Sequence, residues 1–164
     1  FLYIRAGGYP SRVRAGWMSS LVNAGEGVDV DVHLRRENRS KTMDKVAQRI
    51  RLNRTKLKGM QDTSTDYEEL TNSIRAGYFI KNGIANYNED LFYMSVFITV
   101  SAKTYDELMW RKQQVSDMLK SMDMYTSDCA FQQESALQAV MPFLSIPASL
   151  EKKSRRNVLT SGAA

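Results

Sequence analysis

Leu91-Phe92-Tyr93-Met94-Ser95-Val96-Phe97-Ile98-Thr99-Val100 is the densest apolar run in the chain. Its even positions from Phe92 to Val100 are all apolar, and Leu91, Tyr93 and Phe97 add apolar groups to the other face. Ten residues are too few for a membrane helix, which needs roughly 18 or more. A strand apolar on both faces belongs in the middle of a sheet. The fold is read outward from this strand.

Downstream, Thr104-Tyr105-Asp106-Glu107 has the form of a capping box, in which a hydroxyl and a carboxylate satisfy the first free amides of a helix. Leu108, Val115, Met118, Leu119 and Met122 then fall on one helical side. A short strand is predicted near Met124 to Ala130. A last helix over Gln133 to Met141 is stopped by Pro142.

Upstream, Val28, Val30, Val32 and Leu34 alternate with Asp29, Asp31, His33 and Arg35. That period of two predicts a strand with one buried and one wet face. Leu2 to Ala6 reads as a short strand ended by Gly7-Gly8-Tyr9-Pro10. Gly16 to Ala24 reads as a short amphipathic helix. Between the two long strands lie two helices. Ser40 is the expected N-cap of the first, which runs to about Lys58 with Met43, Val46, Ala47, Ile50 and Leu57 inward, and Gly59 stops it. A polar turn over Gln61 to Thr65 leads to the second, opened by Thr65-Asp66-Tyr67-Glu68, with Leu70, Ile74, Gly77, Ile80 (or Lys81) and Ile84 at helical spacing. Asn86 to Asp90 is a turn.

The order is β-α-β, two helices, then β-α-β and a helical tail. Two βαβ halves sharing one antiparallel sheet define an α+β, ferredoxin-like arrangement with helices on one face. The helix pair between the halves is an insertion. The predicted domain covers 1–144. Residues 145–164, with Pro147, Lys152, Lys153, Arg155 and Arg156, read as a connector running over the surface.

The chain has 164 residues, 43% of them hydrophobic, enough for a sizeable core. One cysteine, Cys129, excludes a disulfide within the chain and fits a reducing compartment. Its acidic neighbour Asp128 argues against a reactive thiolate and for a buried thiol. Nine methionines suit an irregular core or an adaptable contact surface.

The net charge of +5 is local in origin. Arg35, Arg36, Arg39, Lys41, Lys45, Arg49, Arg51, Arg54, Lys56 and Lys58 face only Glu37 and Asp44, so this segment carries +8 and the remainder −3. Lys41, Lys45 and Arg49, four apart, form a helical stripe, and Arg54 and Lys58 prolong a basic side. With Arg35 and Arg36 these seven are the expected interaction surface. A solvated face, an acidic protein or lipid surface, and nucleic-acid phosphate all fit such a stripe. The segment has no aromatic residue, which argues against base stacking.

No phosphate-cradling glycine loop is present; Gly25-Glu26-Gly27 precedes a strand, not a helix. Asp29, Asp31 and His33 share a strand face, but residues two apart on a strand are about 6.5–7 Å apart. Asp29 and His33 are then about 13 Å apart, too far to share an ion with bonds near 2 Å. That face is expected to meet solvent, with a pair to Arg35. A catalytic site assembled from His33, Asp29 and Tyr93 has no spacing to support it. No catalytic, cofactor or metal residue is therefore assigned.

Three stretches resemble one family. They are Gly8-Tyr9-Pro10-x-x-Val13-x-x-Gly16-Trp17 with the Val28 to Leu34 strand and a charged helix; Ile74 to Val100 followed by Thr104-x-x-Glu107-Leu108; and Gln133 to Phe143 with Arg155-Arg156-Asn157-Val158-Leu159-Thr160. Together they resemble the region preceding the motor in the large conjugative-transfer and type IV secretion ATPases, the VirB-four/TraC class, as carried by Gram-positive conjugative elements. The resemblance implies a non-catalytic domain that contacts membrane components of a conjugation or secretion channel and self-associates in the full-length protein. It implies a cytoplasmic location at the inner face of the plasma membrane. The chain starts at Phe1 inside a strand and ends on Thr160-Ser161-Gly162-Ala163-Ala164, so it is expected to be a piece of a longer protein. ATP and Mg would then bind only a C-terminal domain beyond Ala164.

Overall fold

The computed structural model describes residues 1–10, 13–59, 65–143 and 145–159. The expected turn before Thr65 and the stretch after Leu159 lie outside the described residues, as does the capping side chain of Thr65. The elements run β1 (Leu2–Ile4), α1 (Trp17–Val22), β2 (Val28–Arg36), α2 (Arg39–Lys58), α3 (Thr65–Asn86), β3 (Leu91–Val100), α4 (Tyr105–Lys120), β4 (Thr126–Asp128), α5 (Gln133–Val140), α6 (Ala148–Ser154) and β5 (Arg156–Leu159).

The sheet order is β2-β3-β1-β4, with β5 also paired to β3. This is the α+β, ferredoxin-like order, with β3 central as its two apolar faces require. β1 is antiparallel to both neighbours, Leu2 opposite Ile98 and Asp128, and Tyr3 opposite Phe97 and Ser127. The chain divides into two units. The first comprises Phe1–Arg35 and Tyr93–Asn157; the second comprises Arg36–Phe92 with Val158 and Leu159.

In the first unit, Leu2 and Ile4 share a sheet face with Ile98, and all three are buried. α4 lies on this face, where Leu108 lines a hollow with Leu2 and Val100. Thr104 caps α4 by accepting the Glu107 N–H at 3.3 Å, and Glu107 accepts the Lys103 N–H. The opposite face holds Tyr3 and Phe97, clustered with Cys129, Ala136 and Ala139 of α5, and Leu150 of α6. Residues 148–159 thus form a helix and a strand, with Leu150 and Ser154 buried, where the sequence suggests a surface connector. Ser154 closes this contact by donating to Leu150 C=O at 3.0 Å and Ser95 Oγ at 3.1 Å.

Gly27 immediately precedes β2 and has a φ of 79°. A Cβ there would lie 2.5 Å from Ser101 O, the atom that also accepts from Arg111 at 2.7 Å. Both the left-handed backbone and the close approach require glycine.

The second unit is a hairpin of α2 and α3. Its N-cap is Asn38, whose side chain accepts the Lys41 N–H at 3.1 Å, so Ser40 sits in the first turn instead. A longer amide side chain two residues earlier performs the same capping. Ile84 and Leu91 are buried with Leu159, backed by Met43 and Ile80. The two helices approach at Gly77, where a Cβ would come within 2.7 Å of Ile50 Cγ1. Gly77→Val is therefore expected to destabilise the hairpin by about 1–3 kcal/mol through overpacking. Thermal unfolding followed by helical circular dichroism checks this.

Candidate functional site

α2 carries the basic segment, and its helical phase decides how the charges are grouped. At about 100° per residue, Ile50, Val46, Met43, Leu57 and Asn53 converge on the side facing α3. Ile50 is buried and Asn53 donates to Ser73 Oγ of α3 at 2.9 Å. On one outer flank the same phase aligns Lys41, Lys45, Arg49, Leu52 and Lys56, all exposed. On the opposite flank lie Arg51, Arg54 and Lys58.

The seven residues expected to act together are therefore separated. Lys41, Lys45 and Arg49 do form one ridge. Lys45 is paired with Glu37 at 2.9 Å. Lys41 and Arg49 make no ion pair among the described residues, and neither does Lys56, which is not one of the seven. Arg54 belongs to the other flank and donates to the Tyr78 hydroxyl of α3 at 3.3 Å. Lys58 is exposed on that same flank.

Arg36 and Arg35 are committed elsewhere. Arg36 bridges to Asp90 at 2.8 Å. Arg35 bridges to Glu151 of α6 at 2.8 Å and lies over the Tyr93 ring at 5.4 Å. Arg155 covers the same ring at 4.3 Å, so Tyr93 serves two guanidinium groups. Arg39 donates to Asn88 Oδ1 at 2.6 Å and also bonds Ile84 C=O, tying the start of α2 to the end of α3.

The wet face of β2 is less wet than its alternation suggests. The His33 ring packs edge-on against Phe97, with centroids 5.7 Å apart, and Nε2–H donates to Ala139 C=O at 2.7 Å. α5 comes down on this side of the sheet, which is why His33 is half-buried, and Arg35 bridges to Glu151 rather than to a carboxylate of this face. The Asp31 carboxyl is pushed above its usual range, chiefly by burial, with His33 opposing and Asp29 adding to the shift. Among the described residues, no group of three or more His, Cys, Asp or Glu side chains is placed to hold a metal ion.

Cys129 is buried, as expected. Burial pushes its thiol up; the chain's amino terminus and Lys153 pull the other way, while Asp128 reinforces the rise. Tyr9, also buried and edge-on to Trp17 at 6.3 Å, has its phenol raised above the ordinary tyrosine range by desolvation. Both side chains read as core. An open groove of about 650 Å³ separates the turn at Asn23–Glu26 from Trp110, Gln114 and Met118 of α4.

No family model matches the chain, and no curated protein matches it. Among the described residues, no helix is long and apolar enough to cross a membrane.

Proposed function

We propose that this chain is a non-catalytic interaction and positioning domain of a conjugative-transfer ATPase of the type IV secretion class. In this reading it works at the cytoplasmic face of the membrane and contacts membrane components of the channel. ATP and Mg are bound by a separate motor domain. One observation carries the reading: Lys41, Arg49 and Lys56 line one exposed flank of α2 with no ion pair among the described residues. The chain also has a ferredoxin-like strand order with a two-helix insertion between β2 and β3.

Structural cations usually settle against carboxylates, as Arg35, Arg36 and Lys45 do here. Lys41, Arg49 and Lys56, without an ion pair among the described residues and flanked by exposed Leu52, suit an acidic partner surface with some apolar content. The purified chain incubated with ATP and Mg²⁺ is expected to release phosphate no faster than buffer. Release that scales with chain concentration and survives repurification would overturn the non-catalytic reading.

The same unpaired cations favour a second reading, a nucleic-acid-binding module. Three phosphate contacts predict that log K for duplex DNA falls with log salt at a slope of about −2.7. Fluorescence anisotropy across a salt series separates the readings, since a purely protein-directed ridge shows no such DNA binding.

A further inference from the structure

β2 ends the strand order, so its outer edge has no strand neighbour among the described residues. At one end of β2, Ser101 N–H bonds Gly27 C=O at 2.8 Å; at the other, Glu37 N–H bonds Leu91 C=O at 2.8 Å. These bonds make β2 antiparallel to β3 and turn the polar backbone groups of the odd-numbered residues toward β3. Those of Val28, Val30, Val32 and Leu34 consequently point away from the sheet. Val32 and Leu34 are 37% and 50% exposed, although both are apolar strand residues.

We infer that β2 pairs antiparallel with β2 of a second copy of this chain, about a two-fold axis through Val32. The backbone supports this register, because a two-fold on an outward-pointing residue gives a hydrogen-bonded pair at Val32 and again at Val30 with Leu34. The side chains support it independently. Asp31 falls opposite His33 of the second copy, and Asp29 falls opposite Arg35 of the second copy. Both are non-hydrogen-bonded pairs, where cross-strand side chains are closest. Arg35 can meet a second carboxylate while keeping Glu151, since its guanidinium has five donors. His33 donates Nε2–H to Ala139 C=O, and in its imidazolium form the second donor, Nδ1–H, is left for the Asp31 carboxylate of the second copy.

Neighbouring registers fail on charge. A two-fold at Asp31 sets Asp31 against itself. At Val30 it sets Asp29 against Asp31. At His33 it sets Asp29 against Glu37, and at Leu34 it sets Asp31 against Glu37. Like charges directly opposite are destabilising. The alternation of Val28 to Arg35 is therefore complementary to its own reverse in a single register. This inference stands apart from the proposed function, since none of these residues belongs to the α2 ridge.

The test uses the whole chain. Sedimentation equilibrium is expected to show reversible monomer–dimer exchange. Asp29→Arg with Asp31→Arg is expected to weaken the dimer about tenfold or more, the sum of several cross-strand pairs turned repulsive. Register is read from two single-cysteine additions. Val32→Cys brings two thiols onto Cα atoms about 5.5 Å apart, within disulfide range. Leu34→Cys leaves its two copies about 13 Å apart along the strands. Mild oxidation should link Val32→Cys chains at least tenfold faster than Leu34→Cys chains; both positions are exposed, and circular dichroism checks that each variant folds. A chain that stays monomeric at every concentration, equal linking rates, or a dimer indifferent to the Asp29 and Asp31 changes overturns the inference.

Discussion

Replacing Leu150 with alanine lowers the stability of the first unit by about 2–5 kcal/mol, the usual range for a buried leucine left as a cavity. Leu150 is fully buried and closes the cluster of Tyr3, Phe97, Cys129, Ala136 and Ala139. α6 holds it there from both sides: Lys153 C=O accepts the Ala6 N–H at 2.7 Å, and Ser154 donates to Ser95. Domains of this kind are stable by only about 5–15 kcal/mol in all, so the loss is a large share. Both tryptophans, Trp17 and Trp110, lie in the first unit, so their fluorescence reports its unfolding. With a slope near 2 kcal/mol per M, the urea midpoint should fall by roughly 1–2.5 M. A chain cut after residue 144 loses Leu150, Ser154 and β5 together and should fare worse still. If Leu150→Ala unfolds at the wild-type midpoint, α6 is a loosely laid connector after all.

That boundary marks where the sequence was least informative. Strand β2 is legible because period-two alternation suits a pleated strand and builds no stripe on a helix. Strand β3 is legible because a short run apolar on both faces suits the middle of a sheet. α2, α3 and α4 are legible from helical spacing and, in α4, from the Thr104 cap. α6 offers a single apolar side chain that becomes buried, Leu150, and β5 another, Leu159, beside a half-buried Val158. Neither short segment has a period to read, and both are held by long-range packing. The candidate surface shows the same limit. The ridge of Lys41, Lys45 and Arg49 follows from four-residue spacing alone. The partners of Arg35 and Arg36 lie 116 and 54 residues away, so no local pattern could remove those two from the surface. Arg54 and Lys58 could have been excluded from helical phase, and Lys56 included by it.

Neutralising Lys41, Arg49 and Lys56 together is the second large effect. If each cation contributes about 1 kcal/mol against an anionic partner surface, replacement by glutamine costs about 3 kcal/mol. That is a weakening of roughly a hundredfold. Glutamate in their place adds repulsion and should abolish measurable binding. Little change in stability is expected, because the three side chains are exposed and substitutions at such positions are usually within about 0.5 kcal/mol. Lys45→Gln is the control. Its charge is already opposed by Glu37 at 2.9 Å, so its loss should weaken binding less than that of Arg49.

The most direct test of an interaction role combines these changes in a conjugation assay. Lys41→Glu, Arg49→Glu and Lys56→Glu are introduced into the full-length ATPase in which this domain is proposed to sit. Transfer frequency between donor and recipient cells is then measured, with the level of the variant protein checked by immunoblot. The expected result is a fall of about a hundredfold at unchanged protein level. Transfer at the wild-type frequency, with the variant protein present, would contradict the account.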